Sequence, residues 1–394
     1  MSRRREQPLE HRLLLTATFC LLAGGAVMVY SASSARTLLE GQGDGTMYLV
    51  KYLAYGSIGL IAMHLLSRHG LENVRRYTPW LVAGAFVLML LVLIPGIGVK
   101  INGARRWLGA GPLQFQPSEI MKLALVLHAA AVLSARPKIS RDLKLLLGPI
   151  IGVGGAAVLL IMAQPDLGTS LVICFTMAAM LVAAGVPMRQ LGLVAVVGAL
   201  LVLLFALFEP YRRARLTSFM NPWDHAGTIG FQSVQKIFDL PEAHTDFILA
   251  VIGEELGVAG VCGLLFLYGM IGYAGLRTAK NAKGAYAKLL AGGLTSLILC
   301  QALLNVYAVL GLAPLTGVPL PFVSSGSTSL IVLLSSMGLL LNIAGGGSAH
   351  LRAVPARSRR DGDQRRRAAE DRDRRRRDGG PRRAGDRGRG RAAG

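Results

Sequence analysis

Charged side chains that interrupt apolar stretches are the first candidates for chemistry. Each costs about 2.5–3.5 kcal/mol at mid-membrane on insertion scales, so it faces protein or a cavity rather than lipid. In this sequence the set is Glu119, Lys122, Asp166, Asp246, Glu254 and Glu255. Glu119 and Lys122 stand at i and i+3 with the acid N-terminal, a spacing that pairs them on one helical face. An ion pair that does nothing but fix its helix is the competing reading. Glu254 and Glu255 differ by about 100° around a helix, so both cannot face lipid and one or both should line an interior. Asp246 closes a long polar segment about 12 Å, or two helical turns, before Glu254. A carboxylate in that position suits a general base.

The polar segment itself, Glu209 to Asp246, concentrates further candidates. Arg212, Arg213 and Arg215 form a cluster of the kind that binds phosphates through paired donors. The alternative is that the three snorkel to lipid headgroups. His244 is a candidate ligand or proton carrier, set against a hydrogen-bonded structural role. Cys20, Cys174, Cys262 and Cys300 lie in apolar runs without metal-ligand or C-x-x-C spacing, so they read as small buried hydrophobes. Gly152-Val153-Gly154-Gly155 superficially matches a dinucleotide fingerprint, yet it lies inside an apolar run with no strand before it. Close helix packing through small residues, including the Gly148/Gly152 pair, is the expectation there.

The elements that must position these residues are transmembrane helices. The chain has 394 residues, 52% of them hydrophobic and 16% charged, against about a quarter charged in soluble domains. Crossing a hydrocarbon core takes about 20 apolar residues. Runs of that kind fall near residues 13–30, 48–66, 79–99, 118–133, 145–163, 168–186, 191–208, 247–273, 289–310 and 324–343. The first run is followed by Ser31-Ala32-Ser33-Ser34-Ala35, which mimics a cleavage site, but the run is too long for a signal peptide and other spans follow. The expected fold is therefore an all-α polytopic membrane protein of about ten transmembrane helices. An even count places both termini on one side. If that side is cytoplasmic, its loops before the tail hold sixteen Lys or Arg (Arg3 to Arg12, Arg68 to Arg76, Arg136 to Lys144, Arg189, and Arg277 to Lys288). The opposite loops hold nine, namely Arg36, Lys51, Lys100, Arg105, Arg106, Arg212, Arg213, Arg215 and Lys236, so the bias favours cytoplasmic termini.

The organisation expected is a cytoplasmic N-terminus over residues 1–12, a transmembrane domain over 13–343 with an outer loop at 209–246, and a basic cytoplasmic tail over 344–394. From Gly345 onward the chain carries seventeen Arg against seven acids. Such a composition cannot bury enough apolar surface to fold, so a disordered tail that touches anionic membrane lipid is expected. No folded nucleic-acid module is present, and nucleic acid is not an expected partner.

Several strings then fall in a recognisable order. They are Asn102-Gly103-Ala104-Arg105-Arg106-Trp107-Leu108 leading to Gln116-Pro117-Ser118-Glu119 and Lys122, then Gln164 to Ser170 (QPDLGTS), Leu240 to Phe247 with Glu254-Glu255-Leu256-Gly257, and Pro314 to Phe322 (PLTGVPLPF). Across residues 13–343 the chain resembles the SEDS family of peptidoglycan glycosyltransferases. Ala243, where the elongation-type RodA branch usually carries Gln, resembles the division-type FtsW branch instead. The resemblance implies an enzyme that polymerises lipid II into β-1,4 glycan strands outside the cytoplasmic membrane at the division septum. It implies a class B penicillin-binding transpeptidase and other divisome membrane proteins as partners. By matching position it makes Asp246 the catalytic residue and Trp107, Arg105 or Arg106, Glu119 and Lys122 the lining or support of the substrate cavity.

An α-linked sugar pyrophosphate that becomes a β-1,4 bond inverts, which needs one base on the acceptor hydroxyl and charge stabilisation on the leaving group. Asp246 would be the base. Arg212, Arg213 and Arg215, or a divalent cation, would neutralise the phosphates, and no other cofactor is called for. The sequence departs from the family where Ser233-Val234 alone bridges Gly230-Phe231-Gln232 and Gln235-Lys236, a place usually rich in glycine, and at Phe322 to Ser329, which usually reads Ser-Tyr-Gly-Gly-Ser-Ser. A lipid II flippase and a non-catalytic divisome scaffold are the alternatives. Catalytic residues should cluster at one face, whereas transport residues should run through the bilayer.

Overall fold

The protein, a computed structural model, is described at residues 8–39, 46–101, 104–110, 113–136, 142–208, 247–313 and 317–346. Residues 209–246, with the Arg cluster, His244 and Asp246, and the tail from 347 lie outside the described residues. The first compact unit, residues 1–349, contains every described element.

These elements are α1 (Leu9–Leu39), α2 (Thr46–Arg68), α3 (Leu71–Leu93), strands β1 (Gly98–Ile101), β2 (Ala104–Ala110) and β3 (Leu113–Phe115), and α4 (Pro117–Ala135). Then come α5 (Lys144–Ala163), α6 (Leu167–Ala183), α7 (Met188–Phe208), a short α8 (Ile248–Glu255), α9 (Gly257–Asn281), α10 (Ala285–Val309) and α11 (Ser327–Ala344). Eight of these, α1 to α5 and α9 to α11, are long and apolar enough to cross a membrane. The 17-residue α6 and the 21-residue α7 coincide in sequence with the two remaining expected runs. The chain is a multi-pass membrane protein. Contacts gather the start of α1, the end of α9 and the end of α11 at one end of the bundle. There Arg277 pairs with Glu10 at 2.8 Å, and the Asn342 amide donates to the Leu66, Ser67 and His69 carbonyls that end α2. The opposite end carries the three strands and the starts of α4, α6 and α11.

Helices α11, α10 and α4 are the most enclosed, with 83%, 67% and 61% of their spans inside the bundle, against 22% for α2. Large apolar side chains on the outer helices, such as Trp80, Phe266 and Val258, stay exposed because lipid solvates them. Helices α2 and α11 approach closely: a Cβ on Gly338 would sit 2.5 Å from the Met63 carbonyl oxygen, a backbone atom, so only glycine fits.

Four local departures from the sequence reading have physical causes. Helix α3 starts at Leu71, eight residues before the apolar run, because its first turns lie at the membrane edge, where Arg75 stacks 5.4 Å from the Tyr286 ring. The run at 247–273 is two helices, since Gly257 adopts φ 61, a left-handed conformation that ends α8 and starts α9. Glu254 and Glu255 consequently sit at a helix end and are exposed; neither lines the interior. Glu255 instead accepts a 2.5 Å hydrogen bond from the Ser31 hydroxyl. The Gly148/Gly152 pair does not make a close helix contact: nothing lies within 4 Å of a Cβ on Gly148. Residues Leu147–Gly152 form a π-helical turn around Pro149, whose ring removes a donor from the α-ladder.

Candidate active site

The strands between α3 and α4 form an antiparallel sheet in the order β1-β2-β3, small enough that nothing in the apolar pattern announced it. Trp107 lies on β2 opposite Val99, and Arg105 opposite Lys100. The sheet is fastened on two sides. Arg106 donates from Nε to the Gln164 carbonyl at 3.1 Å and from its Nη2 to the Pro165 carbonyl. On the other side the Gln116 backbone N–H donates to Thr328 Oγ1 at 3.0 Å, joining β3 to the start of α11. Two donors of the Arg106 fork are thus engaged in holding the turn before α6. Arg105 is half-buried and makes no hydrogen bond or ion pair among the described residues.

Asp166 caps α6, with its Oδ1 accepting from the Thr169 N–H at 3.1 Å. Its Oδ2 accepts from the Gln116 amide at 2.8 Å. Gln164, next to it, donates to the Met89 carbonyl at 2.9 Å. The side chains of Gln116 and Gln164, together with Arg106, therefore weld the sheet, the end of α3 and the α5–α6 turn into one polar cap on this end of the bundle.

Beneath the cap, Pro117 at the first turn starts α4 where its missing N–H costs nothing. Two turns hold Glu119 and Lys122, and the structure bears out the pairing: Lys122 Nζ lies 2.8 Å from Glu119 Oε2, with side chains 2% and 4% exposed. Lys122 also donates to Gln301 Oε1 on α10 at 2.8 Å. The same Gln301 amide donates from Nε2 to the Pro319 carbonyl at 3.0 Å and to Ser329 Oγ at 3.2 Å. Asn305, one turn along α10, donates to the Val318 carbonyl at 2.8 Å.

The irregular segment before α11 is buried from Leu320 through Ser324, a depth at which free backbone groups are costly. Its carbonyls are taken up by side chains from separate helices. Tyr268 donates to Pro321 at 2.5 Å, and Tyr52 donates to Phe322 at 2.6 Å. The Leu320 N–H donates to Ser324 Oγ at 2.8 Å. Phe322 is held at φ 64, a left-handed conformation rare for an aromatic residue, and is 1% exposed.

Of the expected site residues, the structure brings Trp107, Arg105, Arg106, Glu119 and Lys122 to one end of the bundle. Arg212, Arg213, Arg215, His244 and Asp246 lie outside the described residues; the chain re-enters at Phe247, the cap of α8. Gln116, Gln164, Gln301 and Asn305 were missed. The last two stand at i and i+4 in an apolar run, so the rule applied to charges would have found them had it been extended to amides.

A bundle of apolar helices whose buried charges, among the described residues, collect under a polar cap at one end defines a polytopic membrane protein. The cell cycle protein family model FTSW_RODA_SPOVE matches residues 11–238 and 226–347, and the chain belongs to this family. It is 36% identical over 352 residues to stage V sporulation protein E of Bacillus subtilis, covering 84% of this chain and 96% of that protein. It is also 36% identical over 357 residues to the probable peptidoglycan glycosyltransferase FtsW of Coxiella burnetii, covering 84% and 95%. Among solved structures it is similar to a chain of a peptidoglycan synthase complex that coordinates polymerization and crosslinking, with TM-score 0.72, 30% identity and coverage of 84% and 96%. The rod shape determining protein RodA of Thermus thermophilus is similar at TM-score 0.65 and 30% identity, covering 84% and 95%.

Proposed function

We propose that the chain is a peptidoglycan glycosyltransferase that polymerises lipid II into β-1,4 glycan strands at the outer face of the cytoplasmic membrane during cell division. The observation that carries this reading is depth. Among the described residues the buried charged side chains are Glu119, Lys122 and Asp166, and all three lie in the first turns or the cap of helices that start at the same end. A translocation path would carry charged groups further along the bundle. The opposite end holds eleven described Lys or Arg (Arg12, Arg68 to Arg76, Arg136 and Lys144, Arg189, and Arg277 to Lys288) against five, Arg36, Lys51, Lys100, Arg105 and Arg106, at the capped end. That asymmetry supports a capped end outside and cytoplasmic termini.

In this reading Asp246, the residue before the α8 cap, takes the proton of the acceptor sugar hydroxyl as that oxygen attacks the anomeric carbon of the donor strand. The bond to pyrophosphate breaks and the lipid pyrophosphate leaves as an anion. No carboxylic acid is needed to protonate it. Arg212, Arg213 and Arg215 stabilise the charge that develops there, and Lys122, held by Glu119, contributes a further positive charge beneath the cap. Trp107 and Arg105 on the sheet, with His244, contact the sugars and phosphates. A class B penicillin-binding transpeptidase crosslinks the strands, and the solved synthase complex supports such a partner.

The test is a polymerisation assay with purified protein, lipid II and its transpeptidase partner with crosslinking blocked. Glycan strands resolved by length support the reading. Lipid II translocation in vesicles without polymer would replace it with a flippase.

A further inference from the structure

Lys122 is an ammonium with three N–H donors, 2% exposed, on α4 about 8 Å below the polar cap. One donor is directed at Gln301 Oε1 at 2.8 Å, and the ammonium also lies 2.8 Å from Glu119 Oε2 as an ion pair without hydrogen-bond alignment, so the amide is its hydrogen-bonded anchor among these two. The orientation of the Gln301 amide is fixed by chemistry. Its oxygen faces an ammonium, and its nitrogen faces two acceptors, the Pro319 carbonyl at 3.0 Å and Ser329 Oγ at 3.2 Å. The flipped amide would set a donor against a donor and an oxygen against a carbonyl. Gln301 is 0% exposed, so water cannot repair a mismatch. This one side chain therefore joins the charged pair on α4 to α10, to the first turn of α11 and to the segment whose Phe322 is held in a left-handed conformation.

We propose that Gln301 is a positioning residue of the polymerase: it holds the Lys122 ammonium by its amide oxygen and locks it to the buried segment before α11. The proposal rests on the glycosyltransferase reading, in which that ammonium helps to neutralise the lipid pyrophosphate. A positive charge is effective only at a fixed distance from the charge that develops on the leaving group, and small misplacements of such a group cost up to about a hundredfold. Without the amide oxygen, Lys122 keeps Glu119 and is free to swing toward it. A merely structural role for Gln301 would be one fastening of the segment among several, equivalent to the Tyr268 hydroxyl on the Pro321 carbonyl.

That equivalence supplies the control. Gln301→Leu removes the link to Lys122 together with the bonds to Pro319 and Ser329, whereas Tyr268→Phe removes one bond to the same segment from the far helix. Full-length wild type and both variants are assayed with lipid II and the transpeptidase partner, and kcat, KM and thermal midpoint are measured on each preparation. The expected result is a fall in kcat of about tenfold to a hundredfold for Gln301→Leu per folded molecule, with KM within about threefold of wild type. Tyr268→Phe is expected to lower the midpoint but keep kcat within about twofold. Equal kcat losses in Gln301→Leu and Tyr268→Phe, or a Gln301→Leu enzyme with full kcat, would overturn the positioning role while leaving the polymerase reading intact. A wild-type protein that makes no polymer would overturn both.

Discussion

Replacing Lys122 by Met removes the ammonium from a pair that the fold has shut away from solvent. Glu119, 3% exposed, would then face a thioether, and Gln301 Oε1 would lose its 2.8 Å donor. Removing one partner of a buried ion pair costs roughly 3–5 kcal/mol, because the remaining charge stays desolvated, whereas replacing both partners by apolar groups is often close to neutral. One kcal/mol moves the midpoint of a 150–250-residue domain by about 2–4 °C and of a larger one by less. The Lys122→Met protein should therefore unfold on the order of 5–10 °C below wild type in the same detergent. The double variant Glu119→Leu with Lys122→Met should regain more than half of that loss. Thermal unfolding followed by near-UV circular dichroism on matched preparations measures both. A Lys122→Met midpoint at or above wild type, or a double variant no more stable than the single one, would refute the idea that the pair is a buried, mutually compensating unit.

Arg106→Leu frees the Gln164 and Pro165 carbonyls and should loosen the cap, seen as faster protease cleavage between β2 and α4, with lipid II polymerisation reduced; unchanged cleavage would show that the fork is dispensable. Changing Arg212, Arg213 and Arg215 together to Gln should weaken use of lipid II while expression and thermal midpoint stay near wild type, and unaltered kinetics would mean that they only snorkel. Single cysteines introduced at positions 350 and 228 in a cysteine-free background should react with an impermeant thiol reagent in intact cells only at 228. Labelling at 350 would reverse the orientation.

Eight of the ten expected spans were legible because membrane thickness imposes a length on an apolar run, and the Glu119–Lys122 pair because i and i+3 lie on one face of a helix whatever surrounds it. The sheet at 98–115 was not legible: its strands are short, and Gly98, Lys100 and Gly109 blur any alternation. The break at Leu256–Gly257 hid inside an apolar run because glycine is also common within membrane helices. Gln301 and Asn305 escaped because only formal charges were weighed, although a buried amide in lipid is under the same demand for partners. The fastening of the segment before α11 could not be read at all. Tyr52 and Phe322 are 270 residues apart, and Tyr268 and Pro321 are 53 apart, so no local signal connects them.

The central claim is that this family member makes glycan strands with Asp246 as its base, and one substitution tests it most directly. Asp246→Asn keeps the size and hydrogen-bonding capacity of the side chain and removes its basicity. Lipid II polymerisation by the purified variant with its transpeptidase partner should fall by about 10²–10⁴-fold, while insertion, thermal midpoint and partner binding stay at wild-type levels. An Asn variant with full activity per folded molecule would contradict the assignment.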